Sequence, residues 1–376
     1  QYLESPCKIR QGCYNCSMSV AITADMHLTS RAEHPARFDA LEDILDQLVE
    51  TGVEVLVIAG DLFDRDRRDV SEFESIVRRP EYRGLHHVIL PGNHDSGLTQ
   101  SSFALANVLV MDQPRLVNLE EGALPFFFLP YNAGETAGAQ LVPFRGQLPP
   151  DGWYLVSHGD YTSGPTVPNP AEPGIYMPLT RADITVFKPA RVFLGHTHLP
   201  FQSERVISPG SPSAVDSSET GPRGFWLVDP VNDGLERRRV RRGPIYMKEE
   251  FLITPAEDES VVLADDITRR VAGWDLSPVE RERVLLTAGF HGCAADRSTL
   301  RAAVLEALDR PDGRVRLYPD GEPDFSHVLT EDDPALAAAA VLALKMADGL
   351  QLNEPAAMPT GDDINRAVLR IIYGGD

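Results

Sequence analysis

Several short segments of this chain are apolar almost without interruption, and this feature constrains the fold more than any other. The clearest is VEVLVIAGD at residues 53–61. A strand with one solvated face alternates apolar and polar residues, so a continuous apolar run predicts a strand covered on both faces. Comparable segments are VAITAD, HHVILPGNHD, PFFFLP, WYLVSHGD and RVFLGHTH. Strands of this kind require a sheet enclosed by other layers.

Helical patterns alternate with these strands. The apolar residues Phe38, Leu41, Ile44, Leu45, Leu48 and Val49 follow helical spacing, and Gly52 supplies a stop. A second helix is predicted over Val70 to Val77. RVISPGSPSAVD and the pair GFWLVD and LERRRVRR are predicted to be strands that close the sheet, the pair as a hairpin around residues 232–234. The alternation predicts a layered α/β fold.

The pattern changes at about Gly243. YMKEEFLIT, a helix near residues 257–271, ERVLLTAGF, a helix through STLRAAVLEAL, and GRVRLYP read as a small βαβαβ unit. Two more helices are predicted, one starting at Asp333-Pro334 and one over residues 362–372. We therefore expect an extension at 1–17, a main domain at 18–243, a small α/β cap domain at 244–322 and a helical segment at 323–376.

The charge of the chain limits its partners. Its formal net charge is −21, from 35 basic and 56 acidic residues, which argues against binding a phosphate backbone over the whole surface. Any contact with nucleic acid must be local. The one dense basic segment, ERRRVRRGP at residues 236–244, is either such a contact or a solvated edge strand.

The sequence also bears on location. No apolar stretch approaches the roughly 20 residues of a membrane helix, and no secretory signal is visible. Three of the four cysteines, Cys7, Cys13 and Cys16, lie in the extension, and only Cys293 lies in the body of the chain. A zinc clip through Cys13 and Cys16 is a weak alternative, because a second Cys-x-x-Cys is missing. We expect a soluble protein in a reducing, cytoplasmic location.

Polar residues collect where the apolar runs end. Five of the six apolar runs are followed by Asp, Asn or His: Asp25 and His27, Asp61 and Asp64, Asn93, His94 and Asp95, His158, and His196 and His198, which include five of the ten histidines. The carboxyl edge of such a sheet is where ligands bind. Each histidine alone could be structural, but the joint clustering predicts one site.

The types of side chain point to metal ions. Carboxylate, amide oxygen and imidazole without thiolate favour manganese, iron or zinc. Seven such donors are too many for one ion with open coordination positions, but they suit two ions that share a carboxylate. A two-metal site generates hydroxide and stabilises an in-line displacement at phosphorus, so the pattern predicts hydrolysis of phosphate esters.

This set of motifs resembles the calcineurin-like metallophosphoesterases over about residues 18–240. The resemblance implies a layered β-sandwich flanked by helices, with a smaller α/β C-terminal cap domain and terminal helices. It implies that Asp25, His27, Asp61 and His198 hold one ion and that Asp61, Asn93, His158 and His196 hold the other. It further implies that His94 protonates the leaving oxygen or stabilises charge at phosphorus, and that Asp95 orients His94.

The segment ISPGSPSAVDSSETGPRGFWLVD resembles the SbcD-type DNA-repair exonucleases. That branch implies a Mn²⁺-dependent DNA exo/endonuclease, a homodimer, and an SbcC-like coiled-coil ATPase docked through C-terminal helices. Many of its members carry a catalytic histidine where this chain has Asp64, which matches the broader superfamily and is counted here as a candidate catalytic residue. The alternatives are a small-molecule or cyclic-nucleotide phosphodiesterase of the same fold and a non-catalytic adaptor.

Overall fold

A computed structural model describes residues 19–64, 70–150, 152–162, 174–254, 258–310 and 313–330, together with a few positions from 338 onward. The chain divides into two compact units, residues 1–244 and 245–376. The predicted extension and its Cys13-x-x-Cys16 motif lie outside the described residues, as do most positions of the two predicted C-terminal helices. Within the described part of the chain, no helix has the length and apolar character needed to cross a membrane.

The first unit is built from two sheets and four short to medium helices. Its strands are β1 Val20–Thr23, β2 Val55–Ala59, β3 His86–Leu90, β4 Val108–Val110, β5 Arg115–Val117, β6 Phe126–Leu129, β7 Tyr154–His158, β8 Arg191–Gly195, β9 Phe201–Ser203, β10 Val206–Ser208, β11 Gly224–Asp229 and β12 Gly234–Arg239. Its α-helices are α1 Pro35–Thr51, α2 Ser71–Val77, α3 Ala137–Leu141 and α4 Arg181–Phe187. Three 3₁₀ turns lie at Pro80–Tyr82, Gln100–Ser102 and Val142–Phe144.

The strands form two six-stranded sheets, ordered β12-β11-β1-β2-β3-β4 and β5-β6-β7-β8-β10-β9. Their inner faces share one apolar core, to which Val57 of β2, Phe128 of β6 and Phe193 of β8 contribute. The opposite side chains of β2, Leu56 and Ile58, pack in a separate core with α1. The strand is thus covered on both faces, as its continuous apolar run predicts, and the predicted helix-flanked sandwich is confirmed.

Parallel pairing brings the ends of key strands to one edge. Strands β1, β2 and β3 run parallel in the first sheet, and β6, β7 and β8 run parallel in the second. Helix α1 connects β1 to β2 and ends at Gly52, which takes the left-handed conformation with φ of 74°. The carboxyl ends of parallel strands therefore carry their polar residues to a common side.

The second unit is a smaller α/β structure. Its elements are β13 Ile245–Ile253, α5 Glu259–Gly273, α6 Pro278–Arg281, β14 Val284–Ala294, α7 Arg297–Leu308, β15 Asp309–Arg310, β16 Gly313–Arg314, β17 Arg316–Leu317 and β18 Val328–Thr330. Strands β13, β14 and β17 are parallel neighbours. The pattern strand, helix, strand, helix, strand predicted from the sequence is present. The division of the chain into four parts stays a prediction.

The basic segment of residues 236–244 supplies the edge strand β12 and then contacts α1. The Arg241 guanidinium bonds to Asp43 and Glu50, and Arg242 bonds to Asp46. All three acids belong to α1. These two arginines therefore connect the end of the segment to the helix, which favours the edge-strand interpretation over a free basic surface.

One histidine is buried in the core of the first sheet. His87 of β3 is fully buried, packs with its ring centroid 6.0 Å from that of Phe73, and has no hydrogen-bond partner on either ring nitrogen within the described residues. Burial, with a smaller contribution from neighbouring His86, lowers the pKa of His87 to about 4. The folded protein therefore keeps this imidazole neutral.

We expect His87→Leu to make the folded state less sensitive to acid. Between about pH 6.5 and pH 4 the unfolded chain binds a proton on His87 that the folded chain does not, so the free energy of unfolding falls as pH falls. Urea denaturation should show that the free energy of unfolding falls between pH 7 and pH 4.5 by about 2–3 kcal/mol less in the variant than in the wild type. His86→Leu, on the same strand, is the control. Equal losses for His87→Leu and wild type would contradict the prediction.

Candidate metal centre

The predicted polar residues of the first unit meet at the carboxyl edge of both sheets. Several of them have strained backbones: φ is 54° at Asp25, 46° at His27, 52° at Asp61 and 96° at His196. These left-handed values are unfavourable for residues other than glycine, and such strain concentrates at functional sites. These conformations turn the chain sharply after β1, β2 and β8, where the residues concerned lie.

Close backbone packing also shapes the centre. A β-carbon at Gly92 would lie 2.2 Å from Asp61 Oδ1 and 2.6 Å from the Asp61 backbone nitrogen. A β-carbon at Gly60 would lie 1.9 Å from His158 Nδ1. Only glycine leaves room for these two side chains, which explains the glycine before Asp61 and the one before Asn93.

A first group of donors consists of Asp25, His27 and His198, whose ligand atoms all lie within 4.8 Å of one another. The Nε2 atoms of His27 and His198 are 2.9 Å apart. Asp25 Oδ1 accepts a hydrogen bond from the His196 backbone amide, while Asp25 Oδ2 is buried without a partner within the described residues. A buried carboxylate oxygen beside two converging imidazoles fits a cation.

A second group consists of Asp61, His158 and His196, again within 4.8 Å. Asn93 joins it, since its Oδ1 lies 2.8 Å from His158 Nε2 and 3.1 Å from His196 Nδ1. Asp61 Oδ2 lies 3.2 Å from His158 Nε2 and 3.8 Å from His27 Nε2. Asp61 is therefore placed between the two groups, where a shared ligand would stand.

His94 lies beside the first group, with its ring centroid 4.6 Å from that of His27. Its Nδ1 is 3.0 Å from Asp64 Oδ1, and its backbone amide donates to Asp61 Oδ1 at 2.9 Å. Arg37 Nη1 lies 3.4 Å from Asp64 Oδ2 and also bonds to the His27 carbonyl. The carboxylate that contacts the His94 ring is thus Asp64, supported from behind by Arg37.

Asp95 has a different surrounding from the expected one. Its Oδ1 accepts from the Gly92 amide at 2.7 Å and its Oδ2 accepts from the Phe63 amide at 3.1 Å. Both carboxylate oxygens are therefore directed to backbone, and the contact with the His94 ring that was expected of Asp95 is made by Asp64. Asp95 connects the loops that follow β2 and β3.

The electrostatics of the centre favour bound cations. Asp25 and Asp61 are both buried, and burial raises the pKa of Asp25. Burial alone would also raise the pKa of Asp61, but the neighbouring His158 imidazole holds it below its ordinary value. Buried carboxylates are costly unless positive charge compensates them. Oxygen and imidazole donors without thiolate fit manganese, iron or zinc, so the described residues suit a pair of such ions.

Three functional candidates were absent from the sequence-based set. Glu219 Oε1 is 2.6 Å from His198 Nδ1, and the Tyr176 ring lies 4.6 Å from the His196 ring. The third is Arg37, described above. Arg37 could have been identified from the sequence, because an arginine on the apolar face of a predicted helix is unusual. Glu219 and Tyr176 lie in irregular connections, where no periodicity marks them.

A helix-flanked double sheet with buried carboxylates and imidazoles at its strand ends defines a metal-dependent phosphoesterase. Residues 18–200 match the family described as "Calcineurin-like phosphoesterase". This part of the chain is therefore similar to the calcineurin-like phosphoesterases, the resemblance that its motifs predicted.

Three relatives are described as "DNA double-strand break repair protein Mre11". The protein from Haloferax volcanii is 28% identical over 68% of this chain and 58% of the relative. That from Methanopyrus kandleri is 23% identical over 80% of this chain and 74% of the relative. That from Halobacterium salinarum is 25% identical, over 62% of both chains. The chain thus spans less than two thirds of two of these relatives, and the expected resemblance to the DNA-repair branch is confirmed at low identity.

The packing around Gly92 gives a direct test of the centre. Gly92→Ala would force Asp61 to move, so we expect the affinity for Mn²⁺ to fall about 10–100-fold and the free energy of unfolding to fall by about 1–3 kcal/mol. Calorimetric titration with Mn²⁺ and urea denaturation measure the two effects. Gly84→Ala is the matched control, because a β-carbon there meets nothing within 4 Å. Unchanged Mn²⁺ binding in Gly92→Ala would show that Asp61 is not a ligand.

Proposed function

We propose that this protein is a two-metal phosphodiesterase that cleaves DNA, an SbcD-like exo/endonuclease acting in DNA repair. The observation that carries the proposal is the position of Asp61 between two groups of buried donors. The DNA substrate is supported by the descriptions of the relatives. Two adjacent ions supply a nucleophile at neutral pH and neutralise charge on a phosphoryl group.

In this proposal each ion has four protein ligands. The first is held by Asp25, His27, Asp61 and His198, and the second by Asp61, Asn93, His158 and His196. Mn²⁺ is the favoured ion, since the mixture of oxygen and imidazole donors suits it. Both sets of ligands include Asp61. Its Oδ2 lies 3.2 Å from His158 Nε2 and 3.8 Å from His27 Nε2.

His94 is the proposed proton donor to the leaving oxygen. Its side chain is about one tenth exposed, so it lies at the boundary between the centre and solvent. The contact between its Nδ1 and Asp64 would fix the ring orientation and leave Nε2 to carry the transferred proton. Asp64 therefore takes the role of positioning His94, at the place where many SbcD-type nucleases carry a histidine. Asp95 is proposed to keep the two loops in register.

A small-molecule or cyclic-nucleotide phosphodiesterase is the second candidate. The acidic surface favours it, since 56 acidic residues outnumber 35 basic ones. The pairing of Arg241 and Arg242 with acids of α1 favours it too, because these arginines already have carboxylate partners. Both candidate enzymes would use the same metal centre to cleave a phosphodiester. They differ only in the molecule that is cleaved, so an assay with both kinds of substrate distinguishes them.

The resemblance to SbcD-type nucleases also supports a homodimer and docking of an SbcC-like ATPase through residues 323–376. A cytoplasmic location is supported by the small number of cysteines in the body of the chain. All three features belong to the proposal together with DNA repair.

We expect His94→Ala to lower the rate of DNA cleavage by about 10²–10⁴-fold, the usual contribution of a general acid. Mn²⁺ binding should persist, because His94 is not among the proposed ligands. The assay follows linear single- and double-stranded DNA with Mn²⁺ and, in parallel, bis(p-nitrophenyl) phosphate. His34→Ala, a substitution at an exposed histidine, is the control. Intact DNA with hydrolysed bis(p-nitrophenyl) phosphate would select the small-molecule enzyme, and no turnover of either substrate would contradict the proposal.

A further inference from the structure

A glutamate stands directly behind one of the metal-ligand candidates. Glu219 Oε1 is 2.6 Å from His198 Nδ1, while the opposite ring nitrogen, His198 Nε2, faces His27 Nε2 at 2.9 Å. The imidazole thus has one nitrogen toward the proposed ion and the other on a carboxylate. A carboxylate in this place fixes the ring orientation and tautomer and strengthens the nitrogen as a donor.

Glu219 is itself held in place by several contacts. Its side chain is about 8% exposed. Its second oxygen, Oε2, accepts from Ser211 Oγ at 3.0 Å and from the Val215 amide at 2.9 Å, and the Arg223 guanidinium lies 3.5 Å away. Arg223 Nη1 also donates to the His198 carbonyl at 2.7 Å. The same arginine therefore fixes the backbone of His198 and the carboxylate behind its ring.

Behind His158, in the other group, lies a backbone carbonyl and not a carboxylate. His158 Nδ1 lies 3.0 Å from the Ala59 carbonyl, which is a neutral acceptor. The groups behind His198 and His158 therefore differ in charge.

The charge of the ligands adds to this difference. The Asp25, His27 and His198 group has its own carboxylate, the shared Asp61, and Glu219 behind it. The His158 and His196 group has the shared Asp61 and the neutral amide of Asn93. More negative charge near a divalent cation increases the affinity of the site.

We propose that Glu219 is a positioning residue for His198 and makes the Asp25, His27 and His198 position the tighter of the two metal positions. This inference rests on the two-metal assignment of the proposed function. It predicts that the full chain takes up Mn²⁺ in two steps of unequal affinity, with the first ion at this position.

The test is calorimetric titration of Mn²⁺ into the metal-free full chain. We expect two steps for the wild type. In Glu219→Gln the tighter step should weaken about 10–100-fold, the usual effect of losing such a support, while the weaker step stays unchanged. Asp160→Asn is the matched control, since its Oδ1 lies 3.9 Å from His196 Nε2, outside the Asp25, His27 and His198 group, and both steps should be retained.

Glu219→Gln removes the acidic partner of the buried Arg223, so a loss of folding must be distinguished from a loss of metal binding. A second variant makes this distinction. Glu219→Asp keeps that charge but withdraws the carboxylate from His198 by one methylene, so the tighter step should weaken here too. Thermal unfolding of the metal-free variants checks that they fold.

Two steps of unchanged affinity in both variants would overturn the inference. Equal weakening of both steps would also overturn it, since it would indicate a merely structural role for Glu219. A wild type that binds no Mn²⁺ at all is a different result, because it would remove the proposed function itself and the inference with it.

Discussion

The constraint on which this structure depends is the burial of two carboxylates close together. Asp25 is 0% and Asp61 is 1% exposed, and imidazoles surround both. Negative charge in such a place requires positive charge beside it. The left-handed backbone at both aspartates and the glycine that packs against Asp61 follow from the same requirement, because they bring donors from separate strands within reach of shared cations.

The sandwich supplies this arrangement through its topology. Asp25 and Asp61 follow directly on parallel strands of one sheet, and His158 and His196 lie at the ends of parallel strands of the other. The two sheets meet across an apolar core, so strand ends that are far apart in sequence become neighbours. His158 Nδ1, for example, lies 3.0 Å from the carbonyl of Ala59, which is 99 residues earlier in the chain.

The sequence predicted the long elements and the donors, because both follow from local rules. Continuous apolar runs mark covered strands, and the carboxyl edge of a parallel sheet collects ligands. Short elements such as β5, β9 and α3 were missed, since three to five residues are too few for periodicity. The supports of the centre were also missed. Arg37 and Glu219 act through contacts that only the folded chain creates. The conformation of the loops decides that Asp64, and not Asp95, contacts the His94 ring.

The most direct test of this account is an anomalous-scattering map from crystals of the protein soaked in Mn²⁺. Two peaks are expected about 3.5–4 Å apart, one beside Asp25, His27 and His198 and one beside Asn93, His158 and His196, with Asp61 next to both. A map without peaks between these side chains, or with a single ion that Asp61 does not contact, would contradict it.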